Sequence, residues 1–448
     1  MSRKRRWAWC VLAGALLVHA GLLWIYHVPS AKMPWGDEAH FLNIAEARIE
    51  GSPRPIHPFY SRYYPRWVAT WLAIGGGSIL PLQLAQTALL ILCAFLLRDI
   101  TLAAGGNDTA ATAAAFLMIG YPPLVAYAHY VWPEILHMAL LLIAVWVLVM
   151  RKRHGAWLVL LGVSLGLALA TKYFLWPFLP VLLLPLALEA PRRRGLARAG
   201  LTLLIALVIV APALGSNARR FGVSGVLDSA TFNLWVGLND VARRNFENDV
   251  IFDELLRYDD GPPDHSQRRA ELAARTKTLV RERGLLRVLA DQAGRQYFRL
   301  LDKDSFLTDQ LPGGVLAERG VGYADPPAWL SGTLRALSYG LYALVLVGAV
   351  AGLTYRCLRK GTASRLVEAF LAYNALLFLV VHVKTRYRIQ LLPFLFLLAA
   401  IGAVSIVSQL RNRSAADPPA RHDRWMLIGT TLSAALLLFL AFGGSAFR

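Results

Sequence analysis

The chain has 448 residues, 56% of them hydrophobic and 13 of them Trp, with a mean hydropathy of +0.46. That composition excludes an ordinary soluble enzyme and points to a polytopic membrane protein. The net charge of +19 would suit nucleic acid, but the basic residues sit in short clusters between apolar runs. This is the pattern of cytoplasmic loops and anionic headgroups, so no nucleic-acid partner is expected.

Arg3-Lys4-Arg5-Arg6 precedes an apolar run from about Trp7 to Val28 that is long enough to span. A basic n-region also suits a signal peptide. The length of the run, the lack of a small-x-small cleavage site and the spans beyond it favour an uncleaved anchor. A polar loop, 29–77, follows. Further spans are expected at 78–98, 109–127, 131–150, 155–172, 174–189, 197–215, 335–355, 364–382, 387–410 and 425–443, about eleven in all. With a cytoplasmic N-terminus, the inside loops carry Arg98, Arg151-Lys152-Arg153, Arg192-Arg193-Arg194, the group Arg356, Arg359 and Lys360, and the group Arg411, Arg413, Arg421 and Arg424. Each strong cluster between spans falls on one side, as the positive-inside rule requires. The cysteines Cys10, Cys93 and Cys357 lie in or beside apolar segments at no metal-ligand spacing.

The expected organisation is a transmembrane module over 1–215, an outer-face soluble region over 216–333 and C-terminal spans over 334–448. Within the middle region, Gln267 to Arg283 and Leu285 to Leu301 read as amphipathic helices, and Asp259-Asp260-Gly261-Pro262-Pro263 reads as a turn. No Gly-rich phosphate loop is present there. The region is expected to pack on the membrane part and cover an acceptor site.

The stretch Trp35-Gly36-Asp37-Glu38-Ala39-His40-Phe41 opens the first outer loop with two adjacent carboxylates. Phe41, Ile44, Ala45 and Ile49 share one face at helical spacing, so the carboxylates stand at the start of an amphipathic helix. There they can serve as cap and dipole compensation, or Asp37 can act as a general base at the membrane surface. The loop's second half, Tyr60 to Ile74, is rich in Tyr, Trp and Arg, as suits the headgroup zone.

Other polar residues stand where a bilayer tolerates few. Lys172 breaks an apolar hairpin at its outer end, where it is either functional or snorkelling. Glu134 follows Pro133 at the outer start of a span, where a first-turn carboxylate is also expected on dipole grounds. Lys384, Arg386 and Arg388 form a basic group on the outer side against the positive-inside trend, which favours an anionic ligand such as a phosphate. His129, Glu134 and His137 do not form an H-E-x-x-H pattern, and no metal is assigned to them.

In this order the motifs resemble the GT-C superfamily of membrane glycosyltransferases. They are similar in particular to bacterial relatives of protein O-mannosyltransferases and of lipid A aminoarabinose transferase. Gly36-Asp37-Glu38-Ala39-His40-Phe41 with Ile44-Ala45 resembles the first-loop motif. Ala170-Thr171-Lys172 before an aromatic resembles the lysine turn, and Arg386-Tyr387 with Pro393 the late Arg-Tyr-x-x-x-x-x-Pro pattern. Ser216 to Gly222 and Asn233 to Asp240 resemble the segment after a span.

The resemblance implies an all-α, GT-C-like transmembrane bundle in the inner (plasma) membrane, with the active site on the outer face. It implies Asp37 as catalytic carboxylate with Glu38 supporting it, Glu134 as second acidic position, and Lys172 and Arg386 on the donor phosphate, with Tyr387 beside them. Where the family often has Lys or His before a proline late in the first loop, this chain has Tyr63-Tyr64-Pro65-Arg66-Trp67, so Arg62 or Arg66 would substitute.

The implied reaction is inverting transfer of a sugar from a polyprenyl-phosphate donor to a lipid, glycan or protein acceptor, with no cofactor. The rivals are a lipid-linked glycan polymerase or ligase and a transporter or flippase. A transporter would predict matched inverted repeats, and the sequence shows no convincing one.

Overall fold

The computed structural model describes residues 3–28, 32, 34–52, 60–150, 155–222, 225, 229–239, 265–354, 361–412 and 421–443, and these are helical wherever they are regular. The helices are α1 (Arg3–His27), α2 (Asp37–Ile49), α3 (Tyr63–Ile74), α4 (Leu80–Ala103), α5 (Asp108–Gly120), α6 (Pro122–His129) and α7 (Glu134–Val149). Next come α8 (Gly155–Thr171), α9 (Leu179–Ala187), α10 (Arg192–Phe221), α11 (Ser229–Asn239), α12 (His265–Arg283) and α13 (Leu285–Leu301). The rest are α14 (Phe306–Gln310), α15 (Val315–Glu318), α16 (Ala328–Thr354), α17 (Thr362–Val380), α18 (Leu392–Asn412) and α19 (Arg421–Phe442). Short 3₁₀ segments, Tyr173–Phe178 and Thr385–Gln390, stand before α9 and α18.

Among the described residues, α4, α10, α16 and α17 are long and apolar enough to cross a membrane, and α5 with α6 make a fifth such unit bent by 51°. Shorter apolar helices include Val11–His27, Glu134–Val149, Gly155–Thr171, Tyr173–Ala187, Leu392–Ser408 and Leu427–Phe442. The expected turn at 259–263 and the basic clusters at 151–153 and 356–360 lie outside the described residues, as do Arg413 and the side chains of Arg421 and Arg424.

Two expectations need correction. The span expected over 109–127 is broken at Tyr121, because Pro122 and Pro123 supply no backbone N–H to continue the helix. A broken helix in an apolar setting exposes backbone carbonyls that must find donors. At the break itself His19 Nε2 of α1 donates to Ile119 O at 3.1 Å, the carbonyl that Pro123 cannot serve. Gln83 and Gln86 of α4 serve the carbonyls where α6 ends. Gln83 Nε2 donates to His129 O at 2.9 Å, and Gln86 Nε2 donates to Ala128 O at 3.1 Å and Tyr130 O at 2.8 Å. The second correction concerns α2. Phe41, Leu42, Ile44, Ala45 and Ala47 are buried, but Ile49 is exposed, so the apolar face ends one turn earlier than expected.

Close helix contacts follow from small residues, as expected of packing in lipid. A Cβ at Gly402 of α18 would lie 2.2 Å from Gly348 O and 2.5 Å from Gly352 N of α16. Gly162 and Gly166 of α8 meet Ile205 and Ile209 of α10 in the same way. The core runs through this bundle, with α7 buried along most of its length. A smaller cluster of Phe41, Ala45, Tyr64, Val68 and Leu72 clamps α2 to α3 at its edge. That clamp fixes the start of α2, where the site begins.

Candidate functional site

Gly36 precedes α2 at φ +58°, a conformation that favours glycine. It makes no side-chain cap, so Asp37 and Glu38 are first-turn residues rather than caps. Successive positions on a helix point about 100° apart, and the two carboxylates separate accordingly.

Glu38 is turned inward. Its Oε2 pairs with Lys32 Nζ, both side chains having no exposure. Its Oε1 accepts from Tyr26 Oη at 3.3 Å and from Val131 N at 3.0 Å. Lys32 also lies over the Tyr130 ring, 4.8 Å from its centroid. This knot ties the end of α1, the start of α2 and the turn between α6 and α7 together.

Asp37 faces a cavity of about 170 Å³ whose wall includes Glu134, Lys172, Tyr173, Lys384, Arg386 and Tyr387. Arg386 Nη1 donates to Asp37 Oδ2 at 2.7 Å, and its guanidinium stacks on Trp132 at 4.4 Å. Lys172 Nζ donates to Glu134 Oε1 at 2.7 Å. The second carboxylate oxygen of Glu134 is buried with no hydrogen-bond partner among the described residues. Both basic stations use the same device. Lys172 directly precedes Tyr173–Phe178 and Lys384 directly precedes Thr385–Gln390, each in extended backbone before a 3₁₀ turn. The chain thereby stops its helix, aims a cation into the cavity and re-enters the bundle.

Burial alone would raise the Asp37 carboxyl, but the charges of Arg386 and Lys384 outweigh it and hold it below the usual carboxylate value. Burial lowers the Lys172 ammonium; Glu134 opposes that fall and Arg386 adds to it. His382, on the same wall, is pushed well below the ordinary histidine value by burial and then by Lys384, Arg299 and Arg386. It is therefore neutral. With both carboxylates and the three cations ionised, the cavity keeps one net positive charge, which suits a singly charged phosphodiester.

Of the residues singled out in the sequence, Asp37, Glu134, Lys172, Arg386 and Tyr387 come together here. Glu38, Arg62 and Arg66 do not line the cavity. Arg62 Nη1 donates to Ser216 Oγ at 2.5 Å, and Arg66 lies over Tyr63. The basic group around 384–388 also divides, because a 3₁₀ turn sends alternate side chains to different sides. Arg388 is buried away from the cavity, donating to the backbone oxygens of Asp302 and Asp304 and stacking on Tyr342 at 4.5 Å.

Sequence reasoning gave no place in the site to His382 or to the polar wall formed by Ser229, Asn233 and Tyr173. Its signals were the position of Tyr173 directly after Lys172 and of Asn233 at the head of the 233–240 segment. Among the described residues, no group of three or more His, Cys, Asp or Glu side chains is placed to hold a metal ion.

Residues 61–215 match the family described as dolichyl-phosphate-mannose-protein mannosyltransferase. A comparison with curated proteins gives no match. Among solved structures, the chain is similar to the archaeal oligosaccharyltransferase AglB from Archaeoglobus fulgidus in complex with an inhibitory peptide and a dolichol-phosphate. The TM-score is 0.51 at 14% identity, covering 98% of this chain and 55% of that chain. ArnT from Cupriavidus metallidurans bound to undecaprenyl phosphate gives a TM-score of 0.40 at 14% identity, covering 92% of this chain and 82% of that one. The chain thus spans about half the length of the AglB structure it matches. The matched family and the shared helical architecture agree with the motif order: the chain resembles the GT-C superfamily of membrane glycosyltransferases.

Proposed function

We propose that the protein is an integral membrane glycosyltransferase of the inner membrane, which moves a sugar from a polyprenyl-phosphate donor to an envelope acceptor on the outer face. The observation that carries this reading is one cavity in which Asp37–Arg386 and Glu134–Lys172 meet beside Lys384. The matched mannosyltransferase family supports it.

In the proposed reaction an acceptor hydroxyl attacks the anomeric carbon from the side opposite the phosphate, so the configuration inverts. The bond between that carbon and the phosphate oxygen breaks, and the polyprenyl phosphate leaves with a second negative charge. Lys172, Lys384 and Arg386 offset that charge in a site with little water, where such contacts are strongest. Asp37 accepts the hydroxyl proton. In the empty site Arg386 neutralises Asp37 and weakens it as a base. Donor phosphate competes for Arg386, so the base is unmasked when the leaving group is in place.

Glu134 stands as a second acceptor, because one of its oxygens has no partner among the described residues. With Lys172 on the other oxygen, it orients the sugar or acceptor hydroxyls. A glycan ligase would use the same phosphate contacts; the single-sugar donor is preferred because the matched family is that of dolichyl-phosphate-mannose-protein mannosyltransferases.

The test is mass spectrometry of envelope lipids, glycans and proteins from cells with and without the gene, complemented by wild type or Asp37→Asn. One sugar modification is expected to vanish on deletion and to return only with wild type. An unchanged envelope profile would overturn the reading.

A further inference from the structure

Helix α13 (Leu285–Leu301) buries three polar side chains and leaves an apolar stripe in the open. The buried side carries Val288, Gln292, Gln296 and Arg299. Gln292 and Gln296 donate to Gly237 O, Gln296 Oε1 accepts from Val383 N at 3.1 Å, and Arg299 lies 3.4 Å from His382 Nδ1. At 100° per residue, Leu286, Ala290, Ala293, Gly294 and Tyr297 share one side away from these residues, and Arg287, Asp291 and Arg295 share the next. Leu286 is 84% exposed and its neighbour Leu285 58%. Ala290 and Gly294 are exposed, and Ala293 and Tyr297 half-buried.

Single exposed leucines are ordinary on any surface. A helix with an apolar stripe in the open and amides and a guanidinium on its inner face is inverted for a helix in water, and its charged residues Arg287, Asp291 and Arg295 keep to one edge of that stripe. The stripe also runs into a lipid-facing surface. Tyr297 Oη donates to Ala375 O of the membrane-spanning helix α17 at 2.8 Å, beside Leu376, which is 69% exposed. Phe298 meets Phe439 of α19, ring centroids 5.7 Å apart. At the other end Arg283 and Arg287 flank the exposed leucines, both on the surface. Their reach and charge suit lipid phosphates above an apolar layer.

We propose that α13 lies against the bilayer, with Leu286, Ala290, Ala293 and Tyr297 on the acyl layer and Arg283 and Arg287 on anionic headgroups. The segment is then an interfacial helix rather than part of a water-facing domain. Its inner face grips Gly237, on the cavity-lining helix α11, and Val383, next to Lys384. It ties the cavity wall to the membrane surface from which an anionic lipid would arrive.

The test uses the full chain in nanodiscs of phosphatidylethanolamine and phosphatidylglycerol, with Cys10 and Cys357 replaced by serine. A nitroxide is placed at Leu286→Cys, or at Glu271→Cys on α12 as a water-exposed reference. Collision with oxygen, which concentrates in lipid, is compared with collision with a water-soluble nickel chelate. The ratio of oxygen to nickel accessibility is expected to be several-fold higher at position 286 than at 271. Equal ratios would overturn the proposal by placing the stripe in water. A label at 286 shielded from both reagents would overturn it too, because protein rather than lipid would then cover the stripe.

Discussion

Arg386 and Asp37 stand 349 residues apart in the chain, yet a guanidinium N–H of the first donates to the carboxylate of the second at 2.7 Å. Lys172 and Glu134 make the parallel pair at the same distance. In both, the cation is the group that a donor phosphate would claim. Arg386→Ala is therefore expected to weaken binding of undecaprenyl phosphate by about one to two decades, the equivalent of roughly 1.5–3 kcal/mol for a charged hydrogen bond. Lys172→Ala should do the same and also destabilise the fold, since it strands the buried Glu134. The double variant with Glu134→Gln should recover stability without recovering binding. Wild-type affinity in purified Arg386→Ala would remove that residue from the phosphate site.

Glu38 is a positioning residue in this account, and its signature differs from that of Asp37. Glu38→Gln leaves the Lys32 cation in a site with no exposure and no counter-charge. Breaking such a pair from one side costs about 3–5 kcal/mol. The melting temperature is expected to fall sharply, with transfer per folded molecule changed little. Combining it with Lys32→Met should restore much of the stability. Thermal melts and transfer rates on the same preparations check this, and a stable but inactive Glu38→Gln would return Glu38 to the chemistry.

The pH dependence follows from two lowered groups. The Asp37 carboxyl lies below its unfolded value because of Arg386 and Lys384, although burial opposes them. Its pair thus stabilises the fold fully above the ordinary carboxylate range, and that contribution is lost as pH falls through the lowered value. If donor draws Arg386 away, the acid limb of kcat should lie at higher pH than that of kcat/KM for donor. Coincident limbs would contradict the unmasking step. Burial also lowers Lys172, so the ammonium discharges below the ordinary lysine range. Over that alkaline window the fold gains stability, because the unfolded chain holds the proton more tightly. Affinity for undecaprenyl phosphate is expected to decline over the same window.

The cavity wall depends on a backbone contact that only glycine permits. A Cβ at Gly237 would sit 2.5 Å from His382 N, so Gly237→Ala must push α11 off the 381–383 segment. Such overpacking costs typically about 1–3 kcal/mol. A lower melting temperature together with weaker undecaprenyl phosphate binding is expected. An unchanged melt would show that this wall yields freely.

Much of the site was legible because bilayers make charges conspicuous. Lys172, Glu134 and Arg386 each interrupt or border an apolar run, and a charge there is rarely idle. Legibility failed where the role depends on direction. Asp37 and Glu38 are adjacent and chemically alike, and only the helix rotation sends one to the cavity and the other to Lys32. Arg386 and Arg388 are divided by the 3₁₀ turn in the same manner. The break at Tyr121 was written in Pro122-Pro123, but hydrophobicity alone masked it. The overlooked signs were polar residues inside apolar helices: His19, which meets a carbonyl at the break, and Gln83 and Gln86, which meet those at the end of α6. Gln292 and Gln296 were hidden for the opposite reason, because a polar inner face reads in sequence as a water-facing one.

The most direct measurement of the central claim pairs binding with turnover in Asp37→Asn. The amide holds no charge against Arg386, so the guanidinium is freer for phosphate. Since Asp37 is not a cap, its replacement leaves the start of α2 intact. The variant is expected to melt below wild type only by what the Asp37–Arg386 pair contributes, to remain folded, and to bind undecaprenyl phosphate at least as tightly. It should transfer sugar from a synthetic polyprenyl-phosphate donor about 10²–10⁴-fold more slowly, the usual worth of a general base. Wild-type transfer by a stable Asp37→Asn would contradict the account.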